Sequence, residues 1–207
     1  MPAYSRPTRL DEALQVLARG KAAILAGGTD YYPARVGKPP GGNVLDLSAI
    51  RSLRGITERA GHWRIGATTT WTELIEAPLP PLFDGLKRAA REVGGMQIQN
   101  RATIAGNLCN ASPAADGIPP LLALDAQVEI ASAAGSRRIA LDEFVVSNRR
   151  TALGPGELAT AVIVPRPKAD ARSHFLKLGT RKYLVISIVM AAATIEQRDG
   201  KVRAARI

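Results

Sequence analysis

Hydrophobic and polar positions in the first quarter of the chain predict one helix and two buried strands. Apolar residues recur at helical spacing after Thr8, which we expect to cap the helix, and Gly20 is expected to end it. The short apolar runs 22–25 and 44–47 have the length of buried strands. Residues 1–55 are therefore predicted to form a small β–α–β unit with parallel strands.

Beyond residue 55 the predicted strands and helices fall into separate groups instead of alternating. Turn residues between short apolar runs predict hairpins, and Thr70 and Glu73 have the spacing of a helix capping box. The predicted strands are 56–58, 63–66, 128–131, 137–141 and 158–164, and the predicted helical segments are 70–75, 82–93, 119–124 and 141–144. This order favours the α+β class for residues 56–168.

The last part of the chain, residues 169–207, is predicted to be largely extended. Apolar residues run through 174–178 and 188–195, and Asp199-Gly200 predicts a hairpin turn into a final strand. That strand reaches the last residue without a turn or cap. An unpaired apolar edge at a terminus is a liability, so we expect the chain to be cut short here or to continue in the natural protein.

Composition indicates a globular protein with no metal or disulfide chemistry of its own. The chain has 207 residues, of which 46% are hydrophobic and 22% charged. It has no apolar stretch of membrane-spanning length and no secretion core at its N-terminus, so we expect a cytoplasmic protein without a membrane span. Cys109 is its only cysteine, and His62 and His174 are its only histidines. An internal disulfide and an iron–sulfur cluster are thereby excluded, and no zinc site or hydrolytic triad is indicated.

The charge balance is strongly basic but does not indicate a nucleic-acid protein. The formal net charge is +10, yet the basic residues are spread along the chain and aromatic residues make up only 4%. Stacking platforms for bases are therefore scarce. A solvated basic surface, or a docking face for an acidic partner, is the favoured interpretation, and a basic nucleic-acid scaffold remains the less favoured alternative.

Two short glycine-bearing segments carry the strongest functional signal. The first glycine segment is residues 26–30, directly after a predicted strand, and the second glycine segment is residues 102–107. Glycine lets main-chain N–H groups approach an anion closely and tolerates positive φ. Two such segments, far apart in sequence, could close on one diphosphate from both sides. They are not the Rossmann fingerprint, because the chain contains no G-x-G-x-x-G.

Each candidate residue also has a plain structural interpretation. The first glycine segment could be an ordinary strand-to-helix turn, and the second a tight loop between helices. Asp116 could cap the helix that follows it, and Lys177 could be a surface lysine on a strand. Cys109 is expected to be a small buried apolar filler, with a reactive thiol as the alternative.

The two glycine segments and two later runs resemble the FAD-binding medium subunits of molybdenum hydroxylases. This family includes carbon monoxide dehydrogenase and bacterial xanthine dehydrogenase, and its FAD-binding domain is of the PCMH type. The matching runs are 26–30, 97–107, 110–116 and 176–182. The resemblance implies an α+β protein with a small FAD-binding subdomain (1–55), a larger one (56–168) and the start of a C-terminal α+β domain (169–207). FAD would lie extended between the first two.

The resemblance also implies which residues bind FAD. The two glycine segments would hold the diphosphate, Asp116 and Ser112 the ribose, and Lys177 would lie near the flavin ring. Many members of the family have glycine where Ala105 stands, which argues against a special backbone role for Ala105. The implied cofactor-binding residues are Ala26, Gly27, Gly28, Thr29, Asp30, Thr103, Ile104, Ala105, Gly106, Asn107, Ser112, Asp116 and Lys177. No catalytic residue and no metal ligand is expected in this chain.

The implied function is electron transfer within a larger complex. A large subunit would carry the molybdenum cofactor and oxidise the substrate, and a small subunit would carry two [2Fe–2S] clusters. The FAD of this chain would pass their electrons to an external acceptor, in a heterotrimer or a dimer of heterotrimers. The alternative is a stand-alone flavin-dependent alcohol-type oxidase of the same fold, but such an enzyme needs a substrate cap for which this chain lacks the length.

Overall fold

The computed structural model describes residues 3–38 and 41–207 and arranges most of their strands in three successive sheets. The strands are β1 (Tyr4–Ser5), β2 (Ala22–Leu25), β3 (Asn43–Asp46), β4 (Ile56–Glu58), β5 (His62–Gly66), β6 (Gln127–Ser132), β7 (Gly135–Ala140), β8 (Val145–Ser147), β9 (Arg150–Thr151), β10 (Leu158–Pro165), β11 (Asp170–Gly179), β12 (Ser187–Arg198) and β13 (Lys201–Arg206). The helices are α1 (Leu10–Arg19), α2 (Trp71–Glu76), α3 (Asp84–Glu92), α4 (Met96–Gln99), α5 (Ile104–Asn110), α6 (Ile118–Ala123) and α7 (Leu141–Phe144). Among the described residues, no helix has the length and apolar character needed to cross a membrane.

The first sheet is parallel, in the order β1-β3-β2, and α1 packs against it. This confirms the predicted parallel unit, with β1 as an additional strand. The predicted cap is wrong, because α1 begins at Leu10 and its N-cap is Arg9. The reason is Glu12, whose carboxylate accepts from the main-chain N–H groups of both Thr8 and Arg9 and so fixes the helix start one residue later.

The second sheet is antiparallel, in the order β4-β5-β10-β6-β7. Both predicted hairpins are present, and its core packs against helices that include α2, α3 and α5. The predicted capping box is also present. Thr70 Oγ1 accepts from the N–H of Glu73 at 3.3 Å, and the Glu73 carboxylate accepts from the N–H of Thr70 at 2.8 Å. The predicted helix 82–93 is shorter in the structure, since residues 81–83 form a 3₁₀ turn before α3.

The third sheet consists of β11, β12 and β13 in antiparallel order, as the extended segments and the Asp199-Gly200 turn predict. One face packs on α3 and α6, where Phe175 and Ala192 meet Ala89 and Ala123. This packing brings the middle of β11 against the helices that border the site described next.

Candidate functional site

A cavity of about 630 Å³ lies between the first and second sheets, and both glycine segments line it. The structure thus brings together residues that are far apart in the chain, as the sequence predicts. The candidate residues lining the cavity are Ala26, Gly27, Gly28, Thr29, Asp30, Thr103, Ala105, Gly106, Asn107, Ser112 and Asp116. Ile104 and Lys177 do not line it: Ile104 is buried in the core, and Lys177 lies behind Asp116.

The first glycine segment leaves β2 in a conformation that needs both of its glycines. Gly28 has φ +78°, in the left-handed region. A Cβ on Gly27 would lie 2.7 Å from the carbonyl carbon of Arg101 and would overlap its oxygen, so the two cavity walls touch at this point. Within residues 3–38 and 41–207, the N–H groups of residues 27–30 have no acceptor. They are donors available to an anion.

The second glycine segment is not a loop, which corrects that interpretation. Thr103 is the N-cap of α5, and its hydroxyl accepts from the N–H of Gly106 at 3.2 Å. The N–H groups of Ile104 and Ala105 donate to carbonyl oxygens of residues 69 and 67. Those main-chain groups are therefore already paired. At Ala105 and Gly106 this wall is nearly free of side chains, so a ligand can approach the main chain closely. The side-chain amide of Asn107 is its polar group.

Ala105 needs no unusual backbone, because it lies in the first turn of α5 and its φ is not positive. Alanine is a good helix former. The replacement of a family glycine at this position is accommodated by regular helical geometry.

A hydrogen-bond bridge joins the two walls at the rim of the cavity. Asp30 Oδ1 accepts from Asn110 Nδ2 at 2.9 Å, and the guanidinium of Arg149 donates to Asn110 Oδ1. All three residues line the cavity. The sequence marks Asn110 only as part of the run 110–116 and gives no signal for Arg149 beyond its place in a basic pair.

Asp116 lies on the cavity wall in an ion pair with Lys177 of β11. Lys177 Nζ donates to Asp116 Oδ2 at 3.0 Å, and only 5% of the lysine side chain and 10% of the aspartate side chain are exposed. Burial raises the pKa of Asp116, although the Lys177 ammonium opposes that rise.

Two buried side-chain oxygens on the cavity wall lack a hydrogen-bond partner in the described part of the chain. They are Asn107 Oδ1 and Asp116 Oδ1. A buried acceptor without a partner is costly, about 1–3 kcal/mol, and each such group calls for an explanation. Asp116 Oδ1 lies 3.0 Å from the Lys177 ammonium, which compensates its charge, whereas Asn107 Oδ1 calls for a donor from a ligand.

Cys109 is exposed and lines the cavity, so the expectation of a buried filler is wrong. It lies on α5, and its side chain points to the cavity rather than to the core. His174 is exposed on β11. Over the ranges that the structure describes, no three His, Cys, Asp or Glu side chains are grouped so as to hold a metal ion.

Glu157 lines the cavity and stabilises the loop that precedes β10. Its carboxylate accepts from Arg137 Nε and Nη2 at 2.8 and 2.9 Å and from the N–H of Gly154 at 2.7 Å. The bonds from Arg137, followed by the bond from Gly154, lower the pKa of Glu157 to about 2.

We expect Glu157→Gln to remove a stabilisation that is complete at neutral pH and absent in strong acid. A carboxyl with a lowered pKa stabilises the fold above its unfolded pKa and loses that effect as pH falls through the folded value. The variant should have a free energy of unfolding lower by about 1–3 kcal/mol at pH 7, and the difference should vanish towards pH 2. Denaturation at a series of pH values measures it. Glu143→Gln, at an exposed glutamate of α7, is the control, and a pH-independent difference would contradict the assignment.

The parallel sheet, the antiparallel sheet and the glycine-lined cavity between them define an α+β protein with a candidate site for an anionic ligand. The chain belongs to the family described as the FAD binding domain in molybdopterin dehydrogenase, whose model matches residues 1–167. This confirms the fold class and FAD as the cofactor.

Relatives are similar over most of the chain. The nicotinate dehydrogenase FAD-subunit of Eubacterium barkeri is 36% identical, covering 96% of this chain and 70% of the relative. The xanthine dehydrogenase FAD-binding subunit of Escherichia coli O157:H7 is 33% identical, covering 95% and 69%. The carbon monoxide dehydrogenase medium chain of Hydrogenophaga pseudoflava is 30% identical, covering 78% and 58%.

Solved structures give the same result. A chain of a Cu,Mo-containing CO dehydrogenase matches with a TM-score of 0.87 and 30% identity, covering 99% of this chain and 74% of that one. A chain of quinoline 2-oxidoreductase from Pseudomonas putida 86 also matches with a TM-score of 0.87 and 30% identity, covering 100% and 72%. The chain is thus an FAD-binding subunit of the molybdenum-hydroxylase type, as the sequence predicts.

Proposed function

We propose that this chain holds FAD in the cavity between its first two sheets and transfers electrons within a molybdenum hydroxylase complex. It would receive them from [2Fe–2S] clusters of a small subunit and pass them to an external acceptor. A large subunit with the molybdenum cofactor would oxidise the substrate. The observation that carries the proposal is the set of free N–H donors at residues 27–30 facing a wall of small residues across one cavity.

The residues present fit the cofactor. The N–H groups of residues 27–30, with the hydroxyl of Thr29, would bind the diphosphate. Gly106 leaves room on the opposite wall, and Ser112 and Asp116 would meet ribose hydroxyls. FAD, when bound, supplies the exchange between single-electron and paired-electron transfer. The contacts of Ile104 and Lys177 with the cofactor stay predictions, as do the domain boundaries near residues 55 and 168.

The protein's contribution is binding and placement rather than bond breaking. The hydrogen bonds from Asp30 through Asn110 to Arg149 join the two walls at the rim of the cavity. The net charge of +10 would favour docking on a more acidic partner surface. Such a contact in a heterotrimer or its dimer, in the cytoplasm, is the assembly that we expect.

The test compares this chain alone with the chain assembled with its large and iron–sulfur subunits. We expect the isolated chain to retain or take up FAD and to show no bleaching of flavin absorbance when substrate of the complex is added. After assembly, substrate should bleach the flavin. Assembly with the Gly27→Ala chain, whose affinity for FAD should be about 100-fold lower, is the matched control. A chain that takes up no FAD would refute the site, and substrate oxidation by the isolated chain would favour the stand-alone oxidase.

A further inference from the structure

Lys177 occupies a position from which it reaches the cavity only through another residue. Its side chain is 5% exposed, and its Nζ lies 3.0 Å from Asp116 and 3.5 Å from the carbonyl oxygen of Glu92 on α3. Asp116 lines the cavity, whereas Lys177 does not. The ammonium is therefore a neighbour of a cavity residue, held in place by β11.

Lys177 holds both oxygens of Asp116. Its Nζ lies 3.0 Å from Oδ1 and 3.0 Å from Oδ2, and the hydrogen bond runs to Oδ2. An ionised carboxylate can accept several hydrogen bonds. The ammonium thus fixes the orientation of the whole carboxylate, and the remaining lone pairs of its oxygens can accept from a ligand in the cavity.

We propose that Lys177 is a positioning residue, which keeps the Asp116 carboxyl ionised and oriented so that it accepts hydroxyl groups of FAD. This rests on the proposed binding of FAD in the cavity. It differs from the role that resemblance implies, in which the lysine itself lies near the flavin ring. It also gives the third sheet a part in cofactor binding, because β11 supplies the cation.

The electrostatics at Asp116 make the lysine necessary. Burial raises the pKa of Asp116, the Lys177 ammonium on β11 lowers it, and the Glu92 carboxylate on α3 raises it further. Without the lysine, burial and the Glu92 carboxylate would both raise the pKa of Asp116. The carboxyl would then take up a proton at higher pH, and a protonated carboxyl has less acceptor capacity for two hydroxyl donors.

The experiment measures the dissociation constant of FAD between pH 5 and 9 for the wild type, Lys177→Met, Lys177→Gln and Lys177→Arg. We expect little pH dependence in the wild type near neutrality and in Lys177→Arg, which keeps the charge. In Lys177→Met and Lys177→Gln, affinity should fall about tenfold as pH is lowered, the size of one hydrogen bond to a charged group. Recovery of affinity at alkaline pH is expected in both, because the carboxyl ionises there.

Asp116→Asn and the double variant Lys177→Met with Asp116→Asn complete the test. Both should bind FAD equally weakly and without pH dependence in this range, since neither has a carboxyl to titrate. The double variant carries no unpaired buried charge, so it stays informative if Lys177→Met does not fold.

Three results would overturn the proposal. The first is an affinity of Lys177→Met for FAD that depends on pH no more than that of the wild type. The second is a double variant that binds FAD clearly more weakly than Asp116→Asn, which would indicate direct contact of Lys177 with FAD. The third is loss of affinity in Lys177→Arg equal to that in Lys177→Met. Failure of the wild type to bind FAD would instead refute the proposed cofactor site itself.

Discussion

Replacement of Gly27 by alanine is expected to lower the affinity for FAD by about 100-fold. A Cβ at this position would overlap the Arg101 carbonyl group. Because the obstacle is backbone on the opposite wall, it cannot rotate away, and the two glycine segments must move apart. Insertion of one methyl group into a closely packed site costs about 1–3 kcal/mol, and this contact lies at the upper end. Titration of FAD-free protein, followed by flavin fluorescence, measures the loss.

Gly61→Ala is the matched control for this substitution. Gly61 lies between β4 and β5, and a Cβ there would have no neighbour within 4 Å. We expect this variant to bind FAD like the wild type. Gly28→Ala should have an intermediate effect, because φ is +78° but the atom that a Cβ would meet belongs to the side chain of Tyr32. Full affinity in Gly27→Ala would show that the contact between the walls is not needed for binding.

Replacement of Asp116 by alanine is expected to lower the free energy of unfolding of the FAD-free protein by about 3 kcal/mol. It would leave the Lys177 ammonium, 5% exposed, without its counter-charge. Removal of one partner from a buried ion pair typically costs about 3–5 kcal/mol, and access of water from the cavity places this case at the lower end. Urea denaturation followed by circular dichroism measures the change.

The double variant Asp116→Ala with Lys177→Met separates charge from packing. We expect it to regain most of the stability lost in Asp116→Ala, because no unpaired charge remains. A matched control is Asp142→Ala, at an exposed aspartate of α7, which should change stability by less than about 0.5 kcal/mol. Equal destabilisation of the double variant and of Asp116→Ala would contradict the electrostatic explanation.

Local signals predict those elements whose ends are determined by nearby residues. Thr70 and Glu73 cap α2 within one turn. Asp199 and Gly200, both with positive φ, form the turn between β12 and β13. Both features depend on residues that are adjacent or nearly so, and the sequence predicts both correctly.

Elements that depend on distant partners are not predictable in this way. The two-residue strand β1 exists because Tyr4 and Ser5 pair with residues 44 and 45 of β3. The start of α5 lies in a run rich in small and polar residues, which resembles a loop. Its first N–H groups donate to carbonyl oxygens of residues 67 and 69, and this tertiary pairing sets its position.

The candidate site shows the same division. Glycine patterns predict most of the cavity wall, because the residues themselves permit the close approach of main chain to a ligand. The rim bridge through Asn110, the pairing of Lys177 with Asp116 and the exposure of Cys109 depend on how separate sheets pack. No spacing within one segment encodes these contacts.

The cavity has one wall from each of two sheets, so a nucleotide bound there as we propose would hold the two sheets together. A ligand that binds only the folded state raises the free energy of unfolding with the logarithm of its concentration over its dissociation constant. A molecule that spans both walls also opposes their separation. In the proposed site, bound FAD would therefore protect newly made chain from proteases.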